Sequence, residues 1–164
     1  MSFLPLALLT PLLFRVAYLD LAILKIPNRI VLLALTLAVI SVPAVAPEEL
    51  TWRIAAALVV FTFLAALFAL GLMGGGDVKL LPVIVLFVPP DHWTSFSMML
   101  SASLLIGSVG IVLARSAMQA RIPTGWKAID CPRAFPMGVS MAFAGFGTLC
   151  WSVLETFSVG ATPV

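Results

Sequence analysis

Leu72-Met73-Gly74-Gly75-Gly76-Asp77-Val78-Lys79-Leu80 is the stretch that decides how this chain is read. Three glycines lead into one carboxylate, between two long apolar runs. Glycine lets a backbone turn tightly and come close to a neighbour. An aspartate beside hydrocarbon is costly, by about 2.5–3.5 kcal/mol on insertion scales. An expensive residue on a crowded turn is a candidate functional residue, provided the flanking runs really lie in hydrocarbon.

The composition says that they do. Of 164 residues, 62% are hydrophobic and 10% charged, and the mean hydropathy is +1.19. Several apolar runs approach the roughly 20 residues that span a bilayer. The fold class expected is an all-α integral membrane protein, a bundle of six transmembrane helices forming a single membrane-embedded domain over residues 1–164. The segments run from about Phe3 to Leu24, Ile30 to Ala46, Trp52 to Leu72, Asp77 to Val88, Phe96 to Ala114 and Met137 to Val159. Proline and polar residues fill the gaps.

The basic residues set the expected orientation. Arg15, Lys25, Arg29, Lys79, Arg115, Arg121, Lys127 and Arg133 fall on one set of ends, and Arg53 alone falls on the other. The positive-inside rule makes the first set cytoplasmic, with both termini outside and the glycine turn on the cytoplasmic side. No positive charge precedes the run from Phe3 to Phe14, so no secretory signal is expected. Trp52, Trp93 and Trp151 fall near the outer interface. Cys131 and Cys150 form no CxxC pair, which argues against structural zinc. No metal or cofactor is expected, and no nucleic-acid partner.

The fourth segment is short. About 12 residues at 1.5 Å each give roughly 18 Å, against a hydrocarbon core of about 30 Å. Its glycine-rich entry is therefore expected to dip below the cytoplasmic surface and take Asp77 with it. Pro82 frees the carbonyl of Val78 and loosens the backbone beside the carboxylate.

A second acid shares that level. Asp20, in Tyr18-Leu19-Asp20-Leu21, lies about one turn inside the end of segment one, before Pro27, which stops the helix. Asn28 is read as an N-cap for segment two. Two carboxylates at one depth are what an aspartyl protease requires. One, ionised, takes a proton from water as it attacks the peptide carbonyl, and the other, protonated, donates to the carbonyl oxygen. Adjacent like charges do not both ionise cheaply, so the pair shares a proton. Asp77 lies at a helix N-terminus and Asp20 near a C-terminus, so the dipoles are expected to leave the proton on Asp20.

These residues carry a resemblance. Gly74-Gly75-Gly76-Asp77 resembles the GxGD motif of the type IV prepilin leader peptidases, which are intramembrane aspartyl proteases. Asp20 with Lys25-Ile26-Pro27-Asn28 is similar to that family's first aspartate and its R/K-x-P-N turn. Phe135-Pro136-Met137-Gly138-Val139-Ser140-Met141-Ala142 is similar to its P-x-G-x-A element opening the last helix. The resemblance implies that Asp20 and Asp77 are the catalytic pair, supported by Gly74, Gly76, Lys79, Pro27, Asn28, Pro136 and Gly138. It implies removal of the short basic leader from prepilins or pseudopilins, usually after a glycine, at the cytoplasmic face of the bacterial inner membrane.

The small size resembles the minimal peptidases of Flp/Tad-type pilus systems. Nothing precedes segment one and the paired cysteines of larger members are absent, so peptidase activity without N-methylation is expected. Met137 stands where the family's usual aromatic would be. The presenilin branch shares GxGD, but no Pro-Ala-Leu motif is present. The oligomeric state is not readable from the chain.

Bland readings stand beside these. The glycines alone would suit a close helix contact. Gly107, Gly110, Gly138, Gly145 and Gly147 read as small contact residues, and Lys25, Arg29 and Lys79 as ordinary topology signals. His92, the lone histidine, builds no serine or zinc site. The other class of function is a non-catalytic transporter or assembly subunit with a buried carboxylate relay.

Overall fold

Hydropathy and proline spacing become helices in the computed structural model, described here over residues 4–118 and 136–160. Six α-helices occur among these residues: α1 (Leu4–Ile23), α2 (Asn28–Ser41), α3 (Pro47–Ala69), α4 (Gly75–Phe87), α5 (Trp93–Met118) and α6 (Met137–Gly160). The expected loop between Arg115 and Pro136 is shorter than read, because α5 continues to Met118. Arg121, Trp126, Lys127, Asp130, Cys131, Arg133 and Phe135 lie outside the described residues.

Length separates the helices into two classes. Four of the six, all but α2 and α4, provide stretches long and apolar enough to cross a membrane. α2 has 14 residues and α4 has 13, or about 20 Å of helix each. Six transmembrane helices were expected with only the fourth short, so the shortness of α2 is a correction. The second run breaks at Pro43, where the chain passes into a 3-10 turn, Val42–Ala44. Proline cannot donate the backbone hydrogen bond that would carry the helix onward. α4 is short as read, and it continues through Pro82.

The short helix α4 lies innermost. It packs on α3 and α2 and touches α6 and α1. Val78, Leu80, Pro82, Val83, Ile84, Val85 and Phe87 are all buried, as expected for a helix that is hydrophobic all round. α6 lies between α1 and α5. A Cβ on Gly145 would stand 2.6 Å from Leu13 Cδ1, so glycine permits the close approach of α6 to α1. The long helices turn apolar side chains outward: Val59, Phe63, Leu105, Ile106 and Phe143 are exposed. Surfaces of this extent suit hydrocarbon and not water, and they mark a membrane protein.

Contacts between helix ends show how the chain alternates. One end of the bundle collects Asp20, Asn28, Lys79 and Gly138, joined by the bonds Gly138 N to Asp20 Oδ2 and Lys79 Nζ to Asn28 Oδ1. The opposite end collects Glu49, Arg53, Phe87, His92 and Glu155.

At that opposite end the guanidinium of Arg53 is buried against α4. Its Nη1 lies 3.4 Å from the Leu86 carbonyl and 3.5 Å from that of Phe87, and its Nη2 donates to Glu49 Oε2 at 2.9 Å. A cation on the last carbonyls of a helix satisfies groups the helix itself leaves open. Arg53, the exception to the charge pattern, is thus a helix cap. His92 Nδ1 lies 3.9 Å from Glu155 Oε2, which ties the start of α5 to α6.

Candidate active site

Three chain breaks build the acid end. The first follows α1. Asp20 lies in its last turn and is 6% exposed. Leu24 then adopts a left-handed φ of 52°, and its N–H donates to the Asp20 carbonyl at 3.0 Å. A left-handed leucine costs about 1–2 kcal/mol, a strain of the kind found beside functional groups. Pro27, extended, leads into α2.

The second break joins α3 to α4. Gly71, with φ 73°, closes α3. Leu72 N–H donates to the Leu67 carbonyl and Gly71 N–H to that of Phe68, which is the Schellman arrangement. Gly74 then caps α4, and Asp77 falls in its first turn. Each glycine of the triad has a separate steric reason. A Cβ on Gly74 would lie 2.9 Å from Asp77 Oδ2, one on Gly75 3.2 Å from Phe68 Cε2, and one on Gly76 3.3 Å from Ile26 Cβ. The glycines let the end of α3 and the α1–α2 turn close around Asp77.

The third break opens α6. Pro136 is buried immediately before it. The Gly138 N–H donates to Asp20 Oδ2 at 2.6 Å. A Cβ on Gly138 would lie 3.0 Å from Oδ2 and 3.1 Å from Asp20 Cβ and Cγ. Glycine lets the helix start come this close to the acid without pushing it aside.

Asp20 and Asp77 line one cavity of about 310 Å³, with Leu24, Lys25, Ile26 and the three glycines. No ion pair forms on either acid among the described residues. A polar cavity holding two carboxyls has room for a water and a peptide carbonyl, the groups that acid–base hydrolysis brings together. No cluster of three or more His, Cys, Asp or Glu gathers among the described residues.

The structure brings Asp20, Asp77, Gly74, Gly76 and Gly138 together. Pro27 and Pro136 set up two of the turns. Lys79 and Asn28 stand apart from the cavity lining. Lys79 Nζ donates to Asn28 Oδ1 at 3.2 Å, which ties α4 to the start of α2. Asn28 is therefore not the N-cap. Pro27 holds that position, and no side chain bonds there.

The dipole argument for the shared proton also changes. Asp20 faces the N-terminus of α6 as well as ending α1, so both acids lie at helix N-termini and the dipoles no longer separate them. Leu24 is a wall residue that the sequence did not single out, and Lys25 and Ile26, read there only as part of the turn, also line the cavity. For Arg53 the signal was present: Glu49 stands four residues before it, the spacing of a helical ion pair.

The family model described as type IV leader peptidase family matches residues 7–112, a stretch that includes both acids. No curated protein and no solved structure matches the chain. The chain belongs to the type IV leader peptidase family.

Proposed function

We propose that this member of the type IV leader peptidase family is an intramembrane aspartyl endopeptidase in which Asp20 and Asp77 are the catalytic pair. The observation that carries the reading is the single cavity lined by both acids. One carboxylate takes a proton from a trapped water as the water attacks the scissile carbonyl. The other, protonated, donates to the carbonyl oxygen, and the leaving amine then recovers a proton from the pair. The Gly138 amide positions Asp20, and the glycine turn of Gly74 to Gly76 sets Asp77 at the cavity wall.

The substrate is the leader peptide of a prepilin or pseudopilin of the Flp/Tad type, cut at the cytoplasmic face of the bacterial inner membrane. The charge pattern supports a multi-pass chain with the acid end inward: Lys25, Arg29 and Lys79 cluster about it, and Arg53 at the other end is engaged as a cap. The apolar helix after the leader partitions into lipid and holds the cut at the level of the acids.

Coexpression with a prepilin-like substrate tests this. The wild-type chain shortens the substrate, and Asp20→Ala or Asp77→Ala leaves it full length. A substrate left full length by the wild type refutes the reading and favours the relay class. Moving the cleavage glycine several residues away from the apolar segment is expected to stop cutting.

A further inference from the structure

A second cavity lies beside the α1–α6 contact that holds Asp20. It has a volume of about 350 Å³ and runs between α1, α5 and α6, with Leu21, Ser103, Ile106, Gly107, Val139 and Phe143 among its walls. This is within the range of binding pockets, about 300–1,000 Å³. Its character is opposite to that of the acid cavity. The Ser140 hydroxyl is turned into the wall, where it donates to the Ser103 carbonyl at 3.1 Å, and apolar groups face the space.

We propose that this groove seats the apolar segment on the mature side of the cut, so that the substrate crosses Asp20 with its leader in the acid cavity. The inference rests on the peptidase reading and adds a direction to it. Three observations carry it. Leu21 follows Asp20 on α1, and Val139 follows the Gly138 whose amide holds Asp20, so the groove begins one residue along each helix from the acid and its amide partner. The outer faces of Ile106 and Phe143 are exposed on the long apolar helices, so a hydrocarbon-soluble segment enters sideways from lipid without meeting water.

The third observation is the shape of the floor. Ser103 and Gly107 stand four residues apart on α5, on one helix face, and small residues there let a second backbone approach closely. In lipid, contact between apolar segments comes from packing and not from water release. Recognition therefore depends on shape as well as on depth. The acid cavity suits the other half of the substrate: Lys25, the two acids and the glycine backbone make it polar.

The test uses the full chain in phosphatidylcholine nanodiscs and a synthetic peptide with a lysine-containing leader ending in glycine, followed by an apolar segment of about 20 residues. A photoreactive residue is placed just after the glycine in one peptide and within the leader in another. The first is expected to label α5 or α6, and the second the Lys25–Ile26 turn or the glycine triad. Gly107→Leu, which fills the groove, is expected to raise KM about tenfold, or about 1.4 kcal/mol, with kcat little changed. Gly110→Leu is the control, because a Cβ there meets nothing within 4 Å, and it leaves KM unchanged.

Labelling of α2 or α3 by the first peptide, absence of labelling, or an unchanged KM in Gly107→Leu overturns the proposal. So does a photoreactive phospholipid that labels the groove equally with and without saturating peptide, which makes it a lipid site. Cleavage is read separately from labelling. An uncut peptide that still labels α5 or α6 counts against the peptidase reading alone.

Discussion

The two ends of the bundle are built by opposite means. At the end with Arg53 a buried cation meets the last carbonyls of α4 and the Glu49 carboxylate, so charge and backbone satisfy one another. At the end with Asp20 and Asp77 two like groups share a cavity, and the nearest partners are backbone: the Gly138 amide on Asp20 and the glycine turn around Asp77. The difference teaches what each end is for. Matched opposite charges hold a helix in place. Two acids held by backbone, with space between them, stay available to a water and a substrate. α4 connects the two ends, with Asp77 in its first turn and the Arg53 cap at its last carbonyls.

Substitution at the acid end is expected to act on rate. Asp20→Asn and Asp77→Asn each retain shape and remove an acid. Cleavage of a prepilin-like substrate is expected to fall by about 10³-fold or more with unchanged thermal unfolding, and near-normal turnover in either variant breaks the comparison. Gly138→Ala places a methyl 3.0–3.1 Å from Asp20 and displaces a carboxyl that must be held closely. A loss of about 10- to 100-fold in kcat is expected, with little change in KM. Gly145→Ala, whose new methyl meets the flexible Leu13 end, is expected to cost stability and leave kcat alone. Equal kcat losses in the two glycine variants would show that α6 packing in general, and not the contact with Asp20, sets the rate.

Substitution at the capped end is expected to act on stability. Arg53→Met removes charge-assisted bonds from buried carbonyls and from Glu49, at a cost of about 1.5–3 kcal/mol. A lowered unfolding temperature with kcat within about twofold, about 0.4 kcal/mol, is the expected outcome. A large kcat loss in fully folded protein would mean that the cap also tunes the acids. The smallest effect belongs to Lys79→Gln. Its bond to Asn28 is exposed, and changes of this kind stay within about 0.5 kcal/mol. A strong loss of cleavage there would move Lys79 into the machinery.

Much of this was legible in residue order alone. Hydropathy fixes that the chain is helical and membrane-borne, because the drive to bury backbone polar groups in helices is local. Glycine and proline mark the breaks, since each changes the backbone within a residue or two. The level shared by Asp20 and Asp77 follows from counting apolar runs, and their separate turns were correctly placed. The second run was drawn too long, because hydropathy does not register the loss of one hydrogen bond at Pro43.

Contacts between distant residues were decided by the tertiary structure. Asp20 meets an amide 118 positions away, and no periodicity within either helix encodes that distance. The same holds for Ile26 against Gly76, for Phe68 against Gly75, and for the bond from Lys79 that removed Asn28 from its expected role as a cap. Arg53 looked like a misplaced topology charge until the end of α4 was found beside it. Composition and spacing determine which segments enter the membrane and which groups are costly there. Which helices become neighbours depends on the fit of their surfaces, and that fit sets what each costly group faces.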